Sequence, residues 1–194
     1  MITQQSKADL RREAAAARAA LVRDVGDIGD RLAASFAAAI ALKPCHAIAG
    51  YFPFRDEADP RPLMRFLAAG GWTCALPVTT GGPEGLVFRE WRPDEPVAAG
   101  RYGIPVPRET APAVRPDIVL VPLLAYDGAG RRLGYGAGYY DRALASLRRA
   151  GAVLAVGLAY DGQRMTQVPT EDHDERLDMI VTELGATDFR KAAS

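Results

Sequence analysis

The chain is poor in the residues that carry covalent catalysis. Of its 194 residues only two are histidine and two are cysteine, and no Ser-His-Asp or Cys-His constellation stands out among them. Cys45 and Cys74 lie in apolar contexts without metal-ligand spacing. They read as core thiols, with a single disulfide left open, and this usage fits a reducing cytoplasm better than a secreted scaffold. Net charge is also missing, because 24 Lys+Arg balance 24 Asp+Glu. No overall field then draws nucleic acid or an anionic membrane, and any anion must be bound locally. Long apolar runs are absent. The most apolar helix candidate, Leu32 to Leu42, falls well short of the roughly 20 residues needed to span a bilayer. The first residues are charged from Lys7 to Arg18, with no apolar stretch shaped like a secretion signal. A cytoplasmic protein with neither a membrane nor a nucleic-acid partner is expected.

What the chain does have is an unusual run from Arg131 to Arg142, R-R-L-G-Y-G-A-G-Y-Y-D-R. Glycines at Gly134, Gly136 and Gly138 free the backbone to take positive φ and to approach a ligand without an intervening Cβ. Successive amides can then converge on an anion. A helical pattern follows from Tyr139 and Tyr140 to about Gly151, and its N-terminus adds unpaired N–H donors and the positive end of the helix dipole. Asp141 stands near that start, where a carboxylate can share Mg²⁺ with a phosphate. The run is not a Walker A, since no G-K-S or G-K-T closes it, and its G-x-G-x-G spacing departs from the dinucleotide fingerprint. A tight structural loop is the plainer alternative. Arg132, Tyr139, Tyr140 and Asp141 together favour a ligand site.

Read in order, the chain is of α/β type. Ser6 can cap a helix rich in strong helix formers. Lys7 and Arg11 share one of its faces, and Arg18 continues that basic side as a solvated stripe. After Gly26 and Gly29, helix resumes from Asp30 to Leu42. His46 to Phe52 is a strand candidate, and Glu57 follows at its exit, where open α/β sheets place ligands. Pro60 and Pro62 open a helix that ends near Gly70, and Trp72 to Leu76 is the next strand, completing a βαβ unit. Residues 77–116 are dense in Pro and Gly and read as a loop-rich insertion, with Leu86 to Trp91 as its one alternating strand. Within it Tyr102 sits on a stiff loop, suited either to stacking on a flat heterocycle or to core packing. Asp117 to Pro122 and Ala152 to Leu158 are buried-strand candidates. An acidic segment containing Glu171, Asp172, His173 and Asp174 leads to a last strand, Met179 to Thr182. Its spacing matches no zinc pattern, and Mg²⁺ shared by Asp141 and Asp174 suits the chemistry better than zinc, with an exposed acidic turn as the plainer alternative.

Four separated pieces, K-A-D-L-R with Arg18 beyond it, Y-F-P-F-R-D-E, R-L-G-Y-G-A-G-Y-Y-D-R and V-P-T-E-D-H-D-E-R-L-D-M-I-V-T-E, resemble the 5-formyltetrahydrofolate cyclo-ligase family in the family's order. The resemblance spans nearly the whole chain. It implies one cyclo-ligase-like domain over residues 1–194, with residues 1–43 as a helical N-terminal extension. The fold expected is a three-layer α/β/α sandwich around a mostly parallel central sheet. The reaction implied is ATP-dependent cyclisation of 5-formyltetrahydrofolate, by a monomer with Mg²⁺ as cofactor. The resemblance assigns ATP to Lys7, Ala8, Asp9, Leu10 and Arg11, and to Arg132, Leu133, Gly134, Tyr135, Gly136, Ala137, Gly138, Tyr139 and Tyr140. Folate falls to Phe52, Glu57, Tyr102 and the loop residues Tyr135 to Tyr139. Lys7, Arg132 and Asp141 are the expected catalytic residues, and Asp141 and Asp174 the metal carboxylates, with Asp178 the alternative to Asp174. Some relatives carry basic side chains where this chain has Tyr135 and Ala137. The rival readings are a sugar-phosphate isomerase or CoA-transferase-like enzyme using the loop without ATP, and a non-catalytic nucleotide-binding protein.

Overall fold

The structure is a computed structural model that describes residues 6–83 and 85–190, without the side chain of Tyr102. Four helices are α1 (Lys7–Val25), α2 (Gly29–Ala39), α3 (Arg61–Ala69) and α4 (Tyr139–Ala150). The strands are β1 (Ala47–Ala49), β2 (Thr73–Thr79), β3 (Leu86–Glu90), β4 (Ala98–Ala99), β5 (Pro105–Val106), β6 (Ile118–Pro122), β7 (Ala125–Tyr126), β8 (Arg132–Leu133), β9 (Leu154–Leu158), β10 (Met179–Thr182) and β11 (Gly185–Asp188). Seven strands form one sheet in the order β11-β10-β9-β6-β1-β2-β3. The inner strands run parallel and both edges are antiparallel. β4–β5 and β7–β8 are separate two-stranded ribbons.

Alternation along the strands divides the core into the layers expected. Ile48, Leu120, Val156 and Val181 pack with Leu32, Phe36, Leu63 and Leu67 of α2 and α3. Ala49, Val119, Val121 and Ala155 pack on the other face with Ala143 and Leu144 of α4. Apolar residues that alternate in this way on strands buried on both faces leave little choice of register. Among the described residues no helix is long and apolar enough to cross a membrane.

β1 is shorter than the expected His46 to Phe52, because the Gly50 amide makes one last bond to Ala75 O and the chain then turns away. α2 ends at Ala39 rather than Leu42, with Ile40 already extended. Cys74 is buried but Cys45 is exposed in the turn before β1, and the two thiols are free, which removes both the disulfide and the reading of Cys45 as a core thiol.

Helix α1 carries the largest correction. Ser6 caps it by accepting from the Asp9 amide, as its position suggested. Arg18, however, is not on a solvated stripe, being only 1% exposed. It shares a helical face with Lys7, Arg11, Ala14 and Ala15, and beyond it Leu21 and Val22 join the main core. That face lies across the carboxyl end of the sheet. Arg18 Nη1 donates to Leu123 O, just past β6, at 3.0 Å, and Nη2 donates to the Tyr135 hydroxyl. The Tyr160 hydroxyl donates to Gly26 O at 3.2 Å and closes the far end of the helix.

Arg18→Ala removes a buried side chain and leaves Leu123 O without this donor, so it is expected to lower unfolding stability by about 2–4 kcal/mol. Arg12→Ala removes a side chain 79% exposed, and is expected to stay within about 0.5 kcal/mol of the parent chain. Urea unfolding of the two variants checks the contrast, and equal midpoints would refute it.

Candidate functional site

The sheet places the site. From β1 the chain passes through α3 to β2 on one side, whereas from β6 it passes through α4 to β9 on the other. Strand order therefore reverses between β1 and β6, and open α/β sheets bind ligands in the crevice beyond the carboxyl ends at such a point. β1 delivers the segment Tyr51 to Glu57 there, β6 delivers the β7–β8 hairpin and the glycine loop, and α1 lies above.

The glycine loop has the backbone that its sequence suggests. Gly136 and Gly138 take φ of 95° and 66°, in the left-handed region that favours glycine. A Cβ on Gly136 would come within 3.0 Å of the Arg11 guanidinium carbon, so glycine here also admits the cation. Gly138 is the N-cap of α4 and has no side chain to cap it, leaving the first-turn amides for another acceptor.

Three elements converge on this loop. Arg11 Nε donates to Gly134 O at 3.0 Å, and Arg18 holds the Tyr135 hydroxyl. The Tyr135 ring meets Phe54 edge-on with centroids 5.8 Å apart, joining the loop to the exit of β1. Arg132, on β8, reaches Asp141 Oδ1 at 2.6 Å and also donates to Glu175 O, while the Glu175 amide donates to the same Asp141 oxygen at 3.0 Å. Lys7 Nζ lies 3.0 Å from Asp174 Oδ2 and 2.9 Å from Glu171 Oε1. Burial lowers the Lys7 pKa, but the bonds and charges of those two carboxylates outweigh it and hold the ammonium above its ordinary value.

Glu57 faces the crevice from the β1 side and is 9% exposed. The Phe54 amide donates to its Oε2 at 2.8 Å. Burial drives its pKa from 4.5 up to about 7, against the lowering effect of that amide and of the Arg18 charge. Tyr140 is affected by the same surroundings, its hydroxyl pKa raised first by burial and then by the Glu57 charge. Phe52 packs edge-on against Trp91 at 5.4 Å.

Other expected positions contribute backbone or core rather than a facing side chain. Asp9 is bonded to Ser6 and Arg12, Ala8 is exposed, and Leu10 and Leu133 pack in the apolar cluster beneath α1. The Tyr102 side chain lies outside the described residues. Asp178 accepts from the Ala155 amide at 2.7 Å and from Arg148 at 3.0 Å, at the amino end of the parallel strands, which leaves Asp174 as the carboxylate beside Lys7. Arg18 and Phe54 are the members of the site that sequence reasoning missed. The helical stripe shared by Arg18, Leu21 and Val22 was the available signal for the first. A cavity of about 340 Å³ lies elsewhere, lined by Glu90, Trp91 and Arg108 among others, and none of the loop residues lines it. The charged groups at the switch point carry more weight than that volume.

Among the described residues no three His, Cys, Asp or Glu side chains gather as a metal cage. Asp141 and Asp174, 20% and 22% exposed at their side chains, suit an ion that takes one or two protein carboxylates and completes its shell with phosphate and water. The donor set fits Mg²⁺ held in that way.

Glu57 sets a pH dependence whose sign is fixed. Between pH 4.5 and about 7 the folded chain keeps a proton that the unfolded chain has lost. Its contribution to stability is therefore full below about 4.5 and is lost as pH rises through 7, by on the order of 3 kcal/mol. Glu57→Gln is expected to gain stability relative to the parent chain across that window and then to level off. Urea unfolding of both proteins at several pH values measures it, and a pH-independent difference would rule out the raised pKa.

Comparison with known proteins bears on the family and the fold. Residues 3–183 match the model of the 5-formyltetrahydrofolate cyclo-ligase family. The 5-formyltetrahydrofolate cyclo-ligase of Escherichia coli (strain K12) is 34% identical over 142 residues, covering 71% of this chain and 78% of that one. The Haemophilus influenzae protein of the same name is 36% identical over 140 residues, covering 69% and 74%. The solved 5,10-methenyltetrahydrofolate synthetase of Aquifex aeolicus superposes with a TM-score of 0.79 at 26% identity, covering 97% of this chain and 95% of that one. The chain belongs to the 5-formyltetrahydrofolate cyclo-ligase family of enzymes.

Proposed function

We propose that the chain converts 5-formyltetrahydrofolate to 5,10-methenyltetrahydrofolate, using ATP and Mg²⁺ and releasing ADP and phosphate. The observation that carries the ATP half of this reading is the bond from Arg11 to Gly134 O, which draws the cationic face of α1 onto the glycine loop. A triphosphate needs cations beyond those of a loop and one helix N-terminus, and α1 supplies them.

A formamide carbon is a poor electrophile, so its oxygen is activated first. The formyl oxygen attacks the γ-phosphorus, the bond from that phosphorus to the β,γ-bridging oxygen breaks, and ADP leaves. The N5 lone pair stabilises the resulting iminium phosphate. N10 attacks its carbon, loses its proton, and the C–O bond breaks to release phosphate. No protein nucleophile is required, in keeping with the scarcity of histidine and cysteine.

The protein's part is alignment and charge. Glycine-loop amides and the start of α4 receive phosphate oxygens, and Lys7, Arg11 and Arg132 neutralise them. Mg²⁺, held by Asp141 and Asp174, would neutralise charge on the transferred phosphoryl group. Lys7 and Arg132 already face those carboxylates, so nucleotide and metal entering together exchange partners within a balanced set of charges. Glu57 and Phe52 take the folate, and Glu57, with its pKa near neutrality, can accept or donate a hydrogen bond to the pterin ring.

Protein mixed with 5-formyltetrahydrofolate, ATP and Mg²⁺ is expected to generate the near-ultraviolet absorption of the methenyl product. Folded protein that gives none refutes the function. Asp141→Asn is expected to cut kcat by roughly 10²–10³-fold with the far-ultraviolet spectrum unchanged, and parent-like turnover across a magnesium titration would contradict a metal role. Lys7→Ala is expected to raise the KM for ATP about ten-fold while moving that for folate little; an unmoved ATP value counts against Lys7 as a phosphate ligand.

A further inference from the structure

We propose that Arg142, one turn into α4, is a further oxyanion-binding residue of this site, an inference that rests on the function proposed above. Charge pairing separates four of the cations near the loop into two kinds. Lys7 and Arg132 face carboxylates. Arg11 and Arg142 instead touch the loop through carbonyl oxygens, Arg11 at Gly134 O and Arg142 Nη1 at Ala137 O, 3.1 Å away. Among the described residues neither has a carboxylate in ion-pair contact. The two arginines thus bracket the loop from α1 and from α4.

The Arg142 guanidinium is held in place although its residue is exposed. It lies over the Tyr139 ring at 5.2 Å. A Cβ on Gly138 would come within 2.9 Å of Nη1 and one on Gly85 within 3.1 Å of Nε, so glycine at both positions leaves it room between the loop and the start of β3. The carbonyl and the ring leave the guanidinium's charge without a counter-anion among the described residues. A cation folded back to the N-terminal end of a helix opposes the positive end of the dipole, and Gly138 provides no capping acceptor there. One bound oxyanion satisfies the guanidinium and the first-turn amides together. A nucleotide phosphate and a carboxylate of the folate's glutamate share this chemistry.

The test measures initial rates of methenyl formation for the parent chain, Arg142→Ala and Arg142→Lys, varying one reactant at saturation of the other. Arg142→Ala is expected to raise the KM of one reactant by about ten- to a hundred-fold, with Arg142→Lys recovering part of the loss and with unchanged thermal midpoints. A rise for ATP identifies the oxyanion as phosphate, and a rise for 5-formyltetrahydrofolate identifies it as carboxylate. Both KM values within two-fold of the parent overturn the inference, as does an equal loss in both variants accompanied by a lowered midpoint. If the parent chain forms no methenyl product, the proposed function fails by itself. Calorimetric titration of ATP and of 5-formyltetrahydrofolate into parent and Arg142→Ala then decides for Arg142, and identical affinities refute it.

Discussion

A guanidinium group withdrawn from water is costly unless its protons find oxygen, and the architecture of this site follows from how the two terminal nitrogens of Arg18 meet that demand. Nη1 reaches Leu123 O at the end of β6 and Nη2 the Tyr135 hydroxyl in the glycine loop, while Nε is buried with no hydrogen-bond partner among the described residues. One side chain thereby fastens α1, the sheet and the loop to each other. Because α1 is fixed at its middle, its first turns have a defined place, and Arg11 and Lys7 come down over the loop and the acidic segment rather than into solvent. Tyr135 gains a second constraint from Phe54, so the exit of β1 and the glycine loop are positioned together.

The charges around the loop are arranged as exchangeable pairs. Arg132 with Asp141 and Lys7 with Asp174 form a nearly neutral set when no anion is bound, which limits repulsion among cations gathered in one crevice. Such a set suits a reaction whose ligands arrive as an anion and a divalent cation, because each newcomer takes over a partner of the existing pair. Glu57 is built on the opposite principle. Among the described residues it has no cation in direct contact, only a backbone amide and the more distant Arg18 charge, and burial holds its pKa near neutrality. The glycine-loop side of the crevice is thus lined by paired charges, while the β1 side is a desolvated one.

How far the sequence could be read depended on how local the determining physics was. Strands β6, β9 and β10 and helix α4 were legible because buried runs and capping glycines declare themselves within a dozen residues. Ser6 as a cap and Gly138 at the head of α4 were legible for the same reason. β1 was read too long, since its end is set by where Gly50 leaves the neighbouring strand. Arg18 was read as solvated because a basic residue in an alanine-rich helix has a surface explanation until the partner surface is known. Cys45 was placed in the core on the strength of apolar neighbours in sequence, but it falls in the exposed turn that leads into β1.

By itself the sequence determined the α/β class, the glycine loop with its helix, the family and most of the residues that face the crevice, because each is encoded by spacing along a short stretch. Only the tertiary structure decided which cations are already neutralised, that Glu57 is desolvated, that Asp174 rather than Asp178 lies beside Lys7, and that Arg142 folds back over the loop. Those properties depend on distances between groups far apart in the chain and on the solvent left between them, neither of which is present in the order of residues until the chain has packed.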